Sequence, residues 1–432
     1  MAFGRFQDFL SGLVKGQRPG FFGGNATPSI DELLDKLMGF SGEVSAIVTA
    51  REVLDQYNEA DEEGRLEFFQ KLESEFNADA DKVKAAYQAY ELDPSSANLN
   101  TLAKTAEPRR QELFRRLNQT PGATHDLVAM RSDLLKFIKN HEELKTVDAT
   151  FVRLFSSWFG RSFLVLRTID WSTSAAILER IIRYEAVHAI KDWDDLRSRI
   201  DPPNRRCFAF FHPALVDEPL IFVEVALLDE MPGSIQSILD TSDVDTHELD
   251  ENYSTAVFYS ISNCQPGLKN ISFGNFLIKQ VVQELQAEYP SIKNFVTLSP
   301  MPGFKRWLDT NHEDDTDELV ELKQQLQEDS PTAAAGTERA ELIRRLAAIY
   351  LIQGKRGIYP LDPVARFHLG NGARLHRICT HADTSNNGRR QSLGTMVNYL
   401  YDLRYIERNH ESYMEEGEVH YADKLKSLLL KS

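Results

Sequence analysis

The chain is 432 residues long, is 42% hydrophobic and 26% charged, and carries a formal net charge of −16. The length predicts two or more domains, and the acidic charge argues against general nucleic-acid binding, which depends on neutralising phosphates. No apolar run is long enough to cross a membrane and the first residues lack a secretory pattern, so we expect a cytoplasmic protein without membrane contact. Three widely spaced cysteines suit a reducing compartment and give no metal-site spacing.

The first third of the chain is predicted to be helical. Residues 1–27 are rich in Gly and Phe and lack periodicity, so we expect a partly ordered arm there. Over residues 28–159, apolar residues recur at steps of three and four, and Ser29 with Glu32 matches a capping box. Pro94, Pro108 and Pro121 fall between the apolar stretches, where helices start or stop. The pattern predicts an all-helical domain of about eight helices, which we expect to serve in association.

At Gly160 the apolar period changes from that of helices to that of strands. Strands, the second and third of them joined as a hairpin, are predicted over 162–169, 206–212, 220–228, 255–261, 294–299 and 395–402. Helices are predicted over 174–184, 193–200, 275–288, 304–308, 338–352 and 421–430. Residues 388–394 are predicted to be a polar loop, and residues 309–340 an acidic insertion. The order of elements predicts an α+β protein, in which a mixed-sheet α/β domain over 160–432 follows the helical domain.

The stretch from Ser254 to Leu285 combines a predicted strand, a loop containing Pro266, Gly267 and Gly274, and a predicted helix. A helix N-terminus after such a loop presents free backbone N–H groups, which bind anions such as phosphate. The spacing is neither that of a Walker loop nor that of a dinucleotide fingerprint. A plain connection between elements is the alternative. The stretch resembles the pyrophosphate loop of the acetyltransferase-like (GNAT) fold, in which the loop binds coenzyme A.

Several longer segments carry a resemblance to one family and occur in that family's order. They are Arg205-Arg-Cys-Phe, Phe258-Tyr-Ser-Ile-Ser262, Phe276-Leu-Ile-Lys279, Leu298-Ser-Pro-Met-Pro-Gly-Phe304, Asp362-Pro-Val-Ala-Arg-Phe-His-Leu-Gly-Asn-Gly-Ala373 and Asn398-Tyr-Leu-Tyr401. On these segments, residues 160–432 resemble malonyl-CoA decarboxylase, and the preceding helical region resembles that family's N-terminal domain more weakly. The resemblance implies a GNAT-like catalytic domain, malonyl-CoA and acetyl-CoA as ligands, and a homotetramer built partly through the helical domain.

The resemblance also implies roles for individual residues. The family's catalytic serine matches Ser299, its catalytic histidine matches His368, a second important serine matches Ser260, and an active-site tyrosine matches Tyr401. The coenzyme A site matches Lys269, Asn270, Ile271, Ser272, Phe273, Gly274 and Asn275 of the loop and Ile278 of the following helix. Animal members carry a glutamate at the position of Ser272, which puts in question any scheme that uses a loop carboxylate in catalysis.

Decarboxylation of a malonyl thioester leaves a thioester enolate, whose oxygen needs hydrogen-bond donors and whose α-carbon needs a proton. Ser299 could donate to the thioester oxygen or orient the carboxylate, and His368 could protonate the carbanion. Ser260 or Tyr401 could bind the carboxylate. The thioester is itself the electron sink, so neither a metal nor an organic cofactor is required. On spacing alone, Ser299 before Pro300 is a strand end or helix cap, and His368 is a packed residue.

Two other functions remain open from the sequence. A GNAT-type enzyme could transfer an acyl group from coenzyme A to an amine, which would require an acceptor pocket and a base. A non-catalytic acyl-CoA-binding scaffold would bind the ligand without turnover. Release of CO₂ from malonyl-CoA without any acceptor distinguishes decarboxylation from both alternatives.

Overall fold

The structure is a computed structural model, and it describes residues 28–39, 43–240, 253–271, 276–310, 315–328 and 335–430. The chain divides into two compact units. The first unit comprises Met1–Leu164, His212–Val216 and Gln265–Ser272. The second comprises Val165–Phe211, Asp217–Cys264 and Phe273–Ser432. The predicted arm over 1–27 lies outside the described residues.

The first unit is built from helices, as the apolar pattern predicts. They are α1 (Ile30–Gly39), α2 (Glu43–Glu59), α3 (Glu62–Glu75), α4 (Ala80–Leu92), α5 (Ser96–Thr105), α6 (Arg109–Leu117), α7 (Ala123–Phe137) and α8 (Lys145–Trp158). The capping box is confirmed, because the N–H of Ser29 donates to the Glu32 carboxylate at 2.9 Å and the N–H of Glu32 donates to the Ser29 hydroxyl at 3.3 Å. Asp61, Asp79 and Ser95 cap α3, α4 and α5.

Helix α7 lies in the core of this unit. Leu127, Met130 and Leu134 on its apolar stripe are fully buried, as their spacing predicts. Burying side chains of this size stabilises a fold by about 1.5–3 kcal/mol each, so packing is the main source of stability here. Arg131 lies on the same helix and is equally buried, at 0% exposure. A buried guanidinium needs polar partners, which are described below.

The second unit contains a mixed β-sheet with the strand order β1-β2-β3-β4-β5-β10-β6, in which β9 pairs with β10. The strands are β1 (Val165–Ile169), β2 (Arg205–Phe211), β3 (Pro219–Leu228), β4 (Thr255–Asn263), β5 (Asn294–Thr297), β6 (Ser299–Pro300), a separate pair β7 (Lys355–Arg356) and β8 (Tyr359–Pro360), β9 (Arg374–Cys379) and β10 (Met396–Leu400). The helices are α9 (Ala175–Tyr184), α10 (Trp193–Ile200), α11 (Gln236–Leu239), α12 (Phe276–Glu288), α13 (Phe304–Leu308), α14 (Asp317–Glu328), α15 (Ala335–Ala348), α16 (Pro363–Gly370), α17 (Asn386–Ser392) and α18 (Ile406–Glu416). No described helix is long and apolar enough to cross a membrane.

Strands β4 and β5 are parallel and are connected through α12, whereas the other described pairs are antiparallel. The predicted β2–β3 hairpin is confirmed. Strand β4 contains a bulge at Tyr259, since Glu224 pairs with Ser260 while Val225 pairs with Phe258. A helical domain followed by a mixed-sheet α/β domain is the predicted fold class.

The C-terminal part of the chain differs from the sequence prediction. Residues 388–394 are not a polar loop but lie largely in α17, whose first turn is capped by the Ser385 side chain. Strands β7, β8 and β9 and helices α16 and α18 were not predicted. The closing helix is a 3₁₀ helix, Asp423–Leu428, shorter than the predicted 421–430. These elements are short and rich in polar residues, so tertiary contacts outweigh their weak apolar pattern.

Candidate active site

Ser299 lies at the start of β6, directly after β5, and its backbone pairs with Val397 of β10. Its Oγ is 2.9 Å from Nε2 of His368 and donates to Oγ1 of Thr297, also at 2.9 Å. Oγ1 of Thr297 in turn accepts the backbone N–H of Tyr399 at 3.2 Å. The hydroxyl of Ser299 is therefore held from two sides by neighbouring side chains.

His368 is fixed by its helix and by two tyrosines. Helix α16 is capped by Asp362, whose carboxylate accepts two N–H groups of the first turn at 2.9 Å. Nδ1 of His368 lies 2.8 Å from the hydroxyl of Tyr401. The imidazole also stacks on Tyr399, with ring centroids 4.7 Å apart. The hydrogen-bonded chain, called the relay below, consists of Thr297, Ser299, His368 and Tyr401.

The relay is shielded from solvent and uncharged. Ser299, His368 and Tyr401 are 6%, 3% and 2% exposed. Burial lowers the pKa of His368 to about 3 and raises the pKa of Tyr401 well above its ordinary value. Near neutral pH the imidazole is therefore neutral and the phenol keeps its proton.

One arrangement of protons satisfies these contacts. Ser299 donates its one hydroxyl proton in a hydrogen bond to Oγ1 of Thr297, so it accepts a hydrogen bond from Nε2 of His368. Nε2 then carries the imidazole proton, and Nδ1 accepts from the Tyr401 hydroxyl. A histidine that donates to a serine is not arranged to remove the serine's proton, so the relay does not suit a base-activated nucleophile. It suits hydrogen bonding to a developing negative charge, because a neutral imidazole can act as a hydrogen-bond donor.

Ser260 is engaged with another group. Its hydroxyl lies 2.9 and 2.7 Å from the two carboxylate oxygens of Glu185. A hydroxyl has one proton, so Ser260 donates to Glu185 and can only accept from a further group. The described contacts do not join Ser260 to the relay. Ser260 and Ser299 each lie two residues beyond the paired residues Phe258 and Thr297 on the parallel strands.

The predicted coenzyme A loop is described as far as Ile271. Lys269 and Asn270 are exposed, and Asn270 has φ of 64°, in the left-handed region that asparagine tolerates. Ile271 and Ile278 are buried, so contact with a ligand would involve their backbone. Four further predicted positions lie outside the described residues: Ser272, Phe273, Gly274 and Asn275. The binding role of the loop and of Ile278 stays a prediction.

Three contributors to these contacts were not found from the sequence: Thr297, Tyr399 and Glu185. A signal existed for two of them, because residues two apart on a strand point to the same face. Ser299 thus indicates Thr297, and Tyr401 indicates Tyr399. Glu185 had no such signal, since it lies 75 residues from Ser260 in the chain.

The described ranges contain no group of three or more His, Cys, Asp and Glu side chains arranged to hold a metal ion. Cys207, Cys264 and Cys379 are buried and unpaired. Burial raises the pKa of each thiol. Their thiols are therefore protonated and poorly reactive near neutral pH.

Comparison with known proteins gives the family. The model of the malonyl-CoA decarboxylase C-terminal domain matches residues 162–432, and the model of the N-terminal domain matches residues 76–159. The chain belongs to the malonyl-CoA decarboxylase family. Malonyl-CoA decarboxylases are carboxy-lyases, so the chain is an enzyme of that class.

Solved members of the malonyl-CoA decarboxylase family resemble most of the chain. The crystal structure of malonyl-CoA decarboxylase from Rhodopseudomonas palustris is 48% identical, with a TM-score of 0.86 over 93% of this chain and 100% of that one. The corresponding structure from Agrobacterium vitis is 46% identical, with a TM-score of 0.83 and the same coverage. The mitochondrial malonyl-CoA decarboxylase of the goose Anser anser anser is 37% identical over 71% of this chain and 66% of its own length.

Proposed function

We propose that this chain converts malonyl-CoA to acetyl-CoA and CO₂ with its own side chains as the catalytic groups. The observation that carries the proposal is the 2.9 Å contact between Ser299 Oγ and His368 Nε2 inside a buried relay. Membership of the malonyl-CoA decarboxylase family supports the choice of substrate. The contact supports a mechanism in which a hydrogen-bond donor and a proton carrier lie next to each other.

The reaction consumes one proton per turnover. The bond between the α-carbon and the carboxylate breaks, its electron pair moves into the thioester as an enolate, and the α-carbon then takes up a proton. His368 is neutral in the free protein, because burial lowers its pKa to about 3. A malonyl carboxylate nearby would raise that pKa, since an opposite charge favours the imidazolium. His368 would then take up a proton with the substrate and deliver it to the carbanion, which returns the imidazole to its neutral form.

We propose that the Ser299 hydroxyl turns from Thr297 when the substrate binds and donates its one proton to the thioester oxygen rather than to the carboxylate. A donor to the oxygen strengthens as the enolate forms and lowers the barrier, whereas a donor to the carboxylate stabilises the group that must leave. Replacing Ser299 by Ala removes one such donor, which typically costs about 10²–10³ in kcat. Tyr401 orients His368 through Nδ1 in this scheme. Ser260 contributes through Glu185, because its proton is already donated to that carboxylate.

The test is incubation of the purified full-length protein with malonyl-CoA alone in D₂O, followed by mass spectrometry of the coenzyme A thioester. We expect acetyl-CoA carrying one deuterium from solvent, and CO₂ in equal amount. Ser299→Ala should slow both products together. Unchanged malonyl-CoA, or products that form only after an amine is added, would contradict the proposal and favour a scaffold or an acyltransferase respectively.

Assembly and location are separate proposals. We propose a homotetramer built partly through the helical domain, as the family resemblance implies. Light scattering of the full-length protein should give four times the subunit mass of 49.2 kDa, and a concentration-independent monomer mass would contradict it. A cytoplasmic location stays a prediction, and the goose relative is named as mitochondrial. Cell fractionation with antibody detection tests it.

A further inference from the structure

A buried arginine of the helical unit binds the backbone of the predicted coenzyme A loop. Arg131 of α7 donates from Nε to Asp148 at 2.7 Å. Its Nη1 donates to the carbonyl oxygens of Gly267 and Lys269 at 2.7 and 2.9 Å. Both carbonyls belong to the segment Gln265–Ser272, which forms part of the helical unit. A fully buried cation that bonds two loop carbonyls fixes the local backbone, because its donors have no solvent to turn to.

The same loop approaches α7 backbone to backbone. A Cβ added at Gly267 would lie 1.9 Å from the carbonyl oxygen of Val128. Any side chain at this position would force the 3₁₀ turn Pro266–Leu268 away from the helix. The glycine therefore allows the close approach that brings both carbonyls within reach of Arg131.

A fixed carbonyl also fixes the direction of the N–H that follows it. In a trans peptide the C=O and the next N–H point in opposite directions, and the described backbone contains no cis peptide bond. The bond from Arg131 to the Lys269 carbonyl therefore turns the N–H of Asn270 away from α7. Asn270 is exposed, and in the part of the chain that the structure describes its N–H donates to no acceptor.

We propose that Arg131 is a positioning residue that aims the Asn270 N–H at a phosphate of coenzyme A. The inference rests on the proposed function, because it takes this loop as the coenzyme A loop. Exposed backbone N–H groups bind phosphate, and the exposed ammonium of Lys269 adds positive charge beside it. Without Arg131, the peptide between Lys269 and Asn270 is free to rotate and present its carbonyl oxygen, which repels a phosphate.

The experiment compares two substrates in full-length variants. Malonyl-CoA carries the phosphates, and malonyl-pantetheine lacks them. Arg131→Met should raise KM for malonyl-CoA about tenfold or more, the size expected for a hydrogen bond to a charged group. Its kcat should stay within about threefold, since the lost contact is equal in ground and transition states. Turnover of malonyl-pantetheine should be unchanged, and Arg131→Lys should recover part of the affinity.

Arg110→Met is the matched control. Arg110 is a second arginine of the helical unit, 4% exposed, and it donates to the Thr150 hydroxyl and the Thr146 carbonyl rather than to the loop. Its loss should reduce stability without any preference between the two substrates. If Arg131→Met does not fold, Gly267→Ala displaces the same loop and should show the same preference.

Two results would overturn the positioning role. One is an equal loss on both substrates, which indicates a merely structural arginine, and the other is wild-type behaviour of Arg131→Met. Failure of the wild-type protein to decarboxylate malonyl-CoA would instead contradict the proposed function. In that case calorimetry with free coenzyme A still decides the inference: weaker binding by Arg131→Met than by Arg110→Met supports it, and equal binding overturns it.

Discussion

At the scale of single residues, the proposed mechanism depends on how the charge of His368 changes when the substrate binds. The free protein holds this imidazole neutral, because burial lowers its pKa to about 3. A buried site has few charges of its own to compensate a proton, so the charge that the substrate brings has a large effect. His368 therefore gains its proton when the substrate carboxylate binds, and it donates that proton to the carbanion in the same turnover.

Replacing His368 by Asn should reduce kcat by about 10²- to 10⁴-fold, the usual contribution of a positioned acid. KM should change much less, since the lost interaction acts mainly in the transition state. The matched control is His420→Asn, because His420 Nε2 also lies beside a serine hydroxyl, that of Ser412, at 2.7 Å but outside the relay. Steady-state kinetics with malonyl-CoA measures both. A His368→Asn enzyme within a few-fold of wild type would show that the proton comes from another group.

The two tyrosines around His368 should respond differently to loss of their hydroxyl groups. Tyr401→Phe removes the partner of Nδ1, so we expect kcat to fall and the fold to lose about 0.5–1.5 kcal/mol, one hydrogen bond. The Tyr399 hydroxyl is buried and has no hydrogen-bond partner among the residues that the structure describes, so Tyr399→Phe should be neutral or stabilising, with little effect on kcat. Thermal unfolding and kinetics of both variants check this. Equal behaviour of the pair would contradict the assigned proton arrangement.

At the scale of elements, helix α16 sets the position of His368 and is held by one side chain. Asp362 is fully buried, and its carboxylate caps the helix by accepting the N–H groups of Val364 and Ala365. It also accepts a hydrogen bond from the Tyr350 hydroxyl at 3.3 Å. Asp362→Ala removes these acceptors and should cost about 0.5–2 kcal/mol of stability, with a loss of kcat as the relay distorts. Asp362→Asn keeps an acceptor oxygen and should retain most of both. Urea denaturation and kinetics distinguish them, and an Ala variant as stable and active as Asn would show that the cap does not hold the relay.

The elements show how far sequence reasoning reaches. Long helices with a complete apolar stripe, such as α7, are predicted to within a residue or two, because period and burial coincide. The strand that contains β5 was also predicted, because its residues follow the strand pattern. Helix α16 was not predicted, although Asp362 followed by Pro363 is a local signal for a helix start. Helix α17 was not predicted, because its sequence is polar. The Ser385 side chain caps it, and Gly388 allows a close approach to Asp383, since a Cβ at this position would lie 2.3 Å from the Asp383 side chain.

The geometry of the candidate site was predicted in part. The family resemblance supplied Ser299, His368 and Tyr401, and the structure brings these three together. Spacing alone could not, because Ser299 and His368 are 69 residues apart. Glu185, whose carboxylate fixes Ser260, was missed for the same reason, because the two residues are far apart in the chain. A single sequence indicates that two side chains are close only when they lie two residues apart on the same strand face.

At the scale of the whole molecule, the helical unit contains more than helices. The segment Gln265–Ser272, which the sequence assigns to the catalytic domain, clusters with it through Arg131 and Gly267. A truncated protein that begins at residue 160 would therefore lose the contacts of this loop as well as any association surface. Variants of the full-length chain are the better probe of either role.

Stability of the whole molecule should depend on pH through a buried glutamate. Glu224 is 0% exposed, and burial, then the charge of Glu185, raises its pKa from 4.5 to about 8 against the opposing effect of Arg199. A raised folded pKa means that the contribution of Glu224 to stability is present below 4.5 and is lost as the pH rises through about 8. Glu224→Gln cannot ionise, so it should unfold near the wild-type temperature at about pH 5 and at a higher temperature at about pH 9.

Glu288→Gln supplies the control of opposite sign. Burial raises the pKa of Glu288, but its hydrogen bond from Arg206 outweighs this and lowers the pKa overall. A carboxylate with a lowered pKa in the folded state stabilises the fold at pH values above its ordinary pKa. Glu288→Gln should therefore be less stable than wild type at high pH. The midpoint of thermal unfolding, measured for the three proteins across this range, decides both signs. If Glu224→Gln is no more stable than wild type at high pH, the pair with Arg199 at 3.4 Å stabilises the ionised carboxylate after all, and the fold tolerates a buried charge here.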